Sequence, residues 1–80
     1  MRASDAVRAR IKMLCADNNI SLNKLATISG ITQSTLDGII NYKSKNPTVS
    51  TIAKVCDGLS ISLREFFNHD IFNDIEQEIK

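Results

Sequence analysis

The chain has 80 residues, 42% hydrophobic and 24% charged, with no Trp, three Gly and one Pro, a composition that excludes collagen-like repeats and intrinsic disorder. Folding a chain of this size buries only about 60% of the surface its unfolded form exposes, so one domain with a thin core is the expectation. The net charge of +1 excludes a uniformly basic or acidic protein, but residues 1–54 hold eight Lys and Arg against three Asp, and residues 55–80 hold two against six acidic residues. A basic front suits an anionic partner; the alternative is that both regions are merely solvated.

Taken in chain order, the apolar spacing predicts five short helices and no strands. Ser4 is placed to cap the first and Asp5 suits its positive end, while Val7, Ile11, Leu14 and Cys15 recur at helical spacing until "ADNN" ends it. Ser21 caps a second helix with Leu22, Leu25 and Ala26 inward. Gly30 is suited to leave it in a left-handed conformation, and Ile31 then enters the core. Thr32 caps a third, in which Leu36, Ile39 and Ile40 are spaced to face inward. After the loop "NYKSKNP", Pro47 and Thr48 open a fourth helix carrying Val49, Ile52, Val55, Cys56 and Leu59, with Gly58 near its end. Ser62 and Glu65 have capping-box spacing and start a fifth with Leu63, Phe66 and Phe67. The acidic tail "NHDIFNDIEQEIK" places Ile71, Phe72, Ile75 and Ile79 at approximate helical spacing.

Two classes of function find no residues. "MRASDAVRAR" lacks an apolar core, so it does not read as a secretory leader, and no stretch approaches 18 apolar residues. Cys15 and Cys56 fall within helical apolar patterns and read as buried hydrophobes, so the expected compartment is the cytoplasm. No nucleophile–base pair, phosphate-binding glycine loop or metal-ligand cluster is present, and His69 has no partner histidine. The chain does not read as an enzyme, and no cofactor or metal is expected.

The polar third helix carries the functional signal. Two helices separated only by Gly30, Ile31 and Thr32 must cross steeply, so the second can project from the body with a polar outer face. The segment "SLNKLATISGITQSTLDGIINYKSKNPTVSTIAKVCDGLSISLREFF" resembles the Cro/phage-repressor type of helix-turn-helix regulators, the XRE family. It shows Leu-x-x-Leu-Ala, Gly-Ile-Thr, a polar pair before Thr-Leu, Asn-x-Lys in a loop, a Pro before the fourth helix, and Ser-Leu-x-Glu-Phe-Phe. This resemblance covers about residues 5–67. It implies an all-α, five-helix, lambda-repressor-like DNA-binding domain over residues 1–67, with residues 68–80 as a tail that is either helical and dimerising or folded back on the domain.

It further implies a sequence-specific transcriptional regulator of double-stranded DNA, with Gln33, Ser34, Asp37 and Gly38 at the base-contacting positions of the helix from Thr32. Phosphate contacts fall to Ser21, Thr32, Thr35, Asn41, Lys43, Ser44, Lys45 and Thr48. The apolar residues Phe66, Phe67, Ile71, Phe72 and Ile75 exceed what one shallow core needs, and two recognition helices about 34 Å apart suit a pseudo-palindromic operator, so a homodimer is expected. The sequence departs from the phage repressors where Leu22 stands for a base-reading Gln, and where Cys15 and Ile40 stand for a buried Arg–Glu pair. Tyr42, in place of a loop Gly, is a third departure. An antitoxin-like or scaffold module, binding another protein with DNA contact secondary or lost, is the rival reading.

Overall fold

The computed structural model describes residues 1–41 and 46–75. Five α-helices follow one another: α1 (Ala3–Asp17), α2 (Leu22–Ser29), α3 (Gln33–Asn41), α4 (Val49–Gly58) and α5 (Leu63–Phe67). A single 3-10 turn, Asp70–Asn73, comes after them. No strand occurs among the described residues.

Side-chain caps set most of the boundaries. The Ser21, Thr32, Thr48 and Ser62 hydroxyls accept from the backbone N–H groups of Lys24, Thr35, Thr51 and Glu65, at 3.0–3.1 Å. Glu65 closes its capping box by accepting from the Ser62 N–H at 3.1 Å. α1 differs from expectation. It starts at Ala3, so Ser4 lies inside it, and Asp5 instead accepts from the Arg2 backbone N–H at 3.3 Å. Gly30 ends α2 at φ 68°, ψ 28°, and the Ile31 N–H then reaches back to the Ala26 carbonyl at 3.1 Å. Asn19 (φ 54°) and Ser60 (φ 58°) turn the chain after α1 and α4 in the same left-handed region, without glycine.

The core is drawn from every helix. Ile11, Leu25, Leu36, Val55 and Phe66 are its largest fully buried side chains, joined by Val7, Leu14, Cys15, Ala26, Ile40, Ile52 and Cys56. Leu22, Ile31 and Leu59 are half-buried against this cluster, so Leu22 is a packing residue as its apolar character suggests. Cys15 and Ile40 belong to the same apolar core cluster. Burial pushes both cysteine thiols above their ordinary pKa.

α2 packs chiefly on α4 and next on α3. The crossing of α2 and α4 is close at Gly58, where a Cβ would lie 2.7 Å from Ser29 Oγ and 2.9 Å from the Ile28 carbonyl oxygen. One sequence expectation fails here. Val49, expected inward, is 70% exposed because it is the first residue of α4, ahead of the turn that meets the core. Leu63 is likewise exposed at the first position of α5.

Candidate nucleic-acid interface

The helix-turn-helix of α2 and α3, together with α4, puts three helix starts on the surface. Ser21, Thr32 and Thr48, which cap α2, α3 and α4, are all exposed. Helix N-termini present unpaired N–H donors and a partial positive charge, so such starts suit phosphate oxygens. At α3 the Thr32 hydroxyl is doubly engaged: it accepts from the Thr35 N–H and donates to Thr35 Oγ1 at 2.8 Å. That leaves the Thr35 O–H as a donor with no partner among the described residues.

The outer side of the first turn of α3 is organised as well as polar. Gln33, Ser34 and Thr35 are exposed, while Leu36, Ile39 and Ile40 on the same helix are buried. Gln33 Nε2 donates to Asn23 Oδ1 on α2 at 2.5 Å. One amide hydrogen is thereby committed. The other amide hydrogen and Oε1 remain, and these are the donor and acceptor that pair with adenine N7 and N6. Asn23 did not stand out in the sequence, because nothing local marks a partner ten positions away. Its place in the first turn of α2, across the glycine turn from the start of α3, is the one signal that could have found it.

The remaining candidates divide. Asp37 is half-buried and Gly38 is buried. α3 meets the core from its second turn onward, which withdraws this position from solvent. Asn41 is exposed at the last position of α3. Lys43, Ser44 and Lys45, with Tyr42, lie outside the described residues.

The basic front is smaller than the sequence count implies. Arg8 is buried: its Nε donates to the Ile39 carbonyl at 2.6 Å and Nη1 pairs with Asp5 at 2.9 Å. Arg10 is half-buried and donates to the Phe66 and Glu65 carbonyls at 2.7 and 3.0 Å. Both arginines tie helices together. Arg2, Lys12, Lys24 and Lys54 are the described cations of this region that stand exposed.

The expected dimerisation residues also divide. Phe66 is fully buried within its own domain, so it cannot meet a second copy. Its ring belongs to an aromatic cluster, 4.9 Å from Phe67 and 6.2 Å from Phe72 between centroids. Phe72 is half-buried against the core, and the 3-10 turn that carries it packs on α1. As far as Ile75 the tail therefore folds back, as one such turn with no α-helix; Ile79 lies outside the described residues. Ile71 is half-buried, whereas Phe67 (42%) and Ile75 (37%) stay exposed. A depression of about 190 Å³ between Ala3, Ser4, Val7, Asn46 and Pro47 is below the roughly 300–1,000 Å³ usual for small-molecule sites.

Comparison with known proteins agrees with the fold. Residues 10–70 match the family of the Cro/C1-type HTH DNA-binding domain. The solved structure titled "Crystal structure of the prophage Lp1 protein 11" is similar, with a TM-score of 0.81 and 34% sequence identity over 94% of this chain and 100% of that one. No curated protein matches the chain.

Proposed function

The chain belongs to the Cro/C1-type helix-turn-helix DNA-binding domain family, and from that premise we propose that it is a sequence-specific transcriptional regulator that acts as a homodimer. α3 enters the major groove by its N-terminal end, with Gln33 and Ser34 against base edges. The observation that carries this reading is the Asn23–Gln33 hydrogen bond. That bond restrains the Gln33 amide at the first turn of α3, and a base-reading amide must be aimed.

Phosphate contacts position this helix without reading sequence. Ser21, Thr32, Thr35 and Thr48 cluster at helix starts, and Asn41, Lys43, Ser44 and Lys45 complete the set. The lysines contribute salt-dependent affinity for any duplex. One such helix reads only a few base pairs and binds weakly. A two-fold pair, joined through exposed apolar residues such as Phe67 and Ile75, sets two helices one groove turn apart on a pseudo-palindromic operator.

Selection of bound duplexes from a random pool is the test. A two-fold enriched motif with half-sites about 10 base pairs apart is the expected result. Weak binding with no enrichment at any salt concentration contradicts it and favours a protein-binding module of the antitoxin or scaffold kind.

A further inference from the structure

We propose that Arg8 is a positioning residue for DNA reading: from α1 it pins the last turn of α3, and so holds the first turn of that helix in register with the bases. The inference rests on the reading of α3 as the base-contacting helix. Its ground is mechanical. The backbone neighbour on which α3 chiefly packs is α2, and a helix gripped mainly there can pivot about that contact. The buried Leu36, Ile39 and Ile40 resist removal from the core, but apolar packing is non-directional and fixes rotation weakly. Arg8 supplies a directional tie. Its Nε–H meets the Ile39 carbonyl at 2.6 Å, 31 positions away in sequence, inside a residue only 6% exposed.

The chemistry fits that task. The last turn of a helix carries partial negative charge on its carbonyls, which a guanidinium complements. A planar fork can hold a carbonyl through Nε while Nη1 pairs with Asp5, a geometry a lysine cannot reproduce. A buried ion is weak evidence for stability, since apolar replacements are often at least as stable. Its value here lies in where it points. Gln33 is six residues from Ile39, roughly 9 Å along the axis, so a swing of roughly 10° about the last turn moves Gln33 by about 1.5 Å. Hydrogen bonds to a base edge tolerate about 0.5 Å.

Arg10 is a built-in control. It makes the same kind of bond from the same helix, but to the Phe66 and Glu65 carbonyls at the end of α5, away from α3. The test compares the ratio of affinities for the selected site and a scrambled duplex in the wild type, Arg8→Gln, Arg8→Lys and Arg10→Gln, at a temperature where melting curves show each folded. Arg8→Gln is expected to cut the ratio about tenfold through loss of the specific complex alone. Arg8→Lys recovers part of it, and Arg10→Gln leaves it within about twofold. If Arg8→Gln does not fold, Arg8→Lys carries the test, with an expected fall of about threefold. Equal losses in the Arg8 and Arg10 variants, or an unchanged ratio in the folded Arg8 variants, overturn the proposal. A wild type that selects no sequence removes the underlying reading instead, and is seen before any variant is made.

Discussion

Two stretches of this small surface expose side chains on opposite terms. At the start of α3, Thr32, Gln33 and Thr35 are exposed yet held by hydrogen bonds to each other and to Asn23. At α5 and the turn after it, Leu63, Phe67 and Ile75 are exposed and apolar, with Phe67 fixed only by ring contacts at 4.9 and 5.0 Å to Phe66 and Phe72. Exposure alone does not separate them. The first surface has aimed donors and acceptors, which suit a polar partner of fixed geometry. The second has area without direction, which suits another apolar surface.

Substitutions that strike one surface and spare the other sharpen this contrast. The largest effect is expected below the apolar stretch. Phe66→Ala empties the fully buried site of the aromatic cluster and should lower unfolding free energy by about 3–5 kcal/mol in urea titration. Gln33→Ala should leave stability within about 0.5 kcal/mol. In position-resolved binding it should relax preference at one base pair per half-site, at a cost of about 1–3 kcal/mol. Phe67→Ser should lower monomer stability by about 1 kcal/mol and shift sedimentation from dimer toward monomer. Binding of a single half-site should not change. Ser29→Ala removes a buried hydroxyl with no hydrogen-bond partner among the described residues, and melting should show a gain of up to about 1 kcal/mol. The smallest effect is Lys43→Ala, which should weaken all duplexes alike and flatten the salt dependence by about one unit per half-site.

The fold was legible wherever its cause is local. Ser21, Gly30, Thr32, Thr48 and the Ser62–Glu65 box each act within three or four residues, and all take the places their types suggest. Ser4 misled because the Arg2 N–H could use Asp5 one position earlier in the frame. Val49 misled because helical periodicity does not say that a first-turn residue precedes the packed turns. Arg8 counted as surface charge in the sequence, yet its partner is 31 positions away and only the fold brings it there. Phe66 and Phe67 are neighbours of the same type, and which one turns inward depends on how α5 docks against α1 and α4. The family pattern made the polar face of α3 visible. The Asn23 brace that aims it was not, because a side-chain bond between two helices leaves no periodic trace.

The central claim is that duplex DNA meets the first turn of α3. It is tested most directly by titrating the isotope-labelled protein with its selected duplex and following every backbone amide by NMR. The account predicts that the largest shifts fall at Ser21, Asn23 and Thr32–Thr35, with a smaller set near Thr48. Shifts concentrated at residues 63–75, with the start of α3 unmoved, would contradict it.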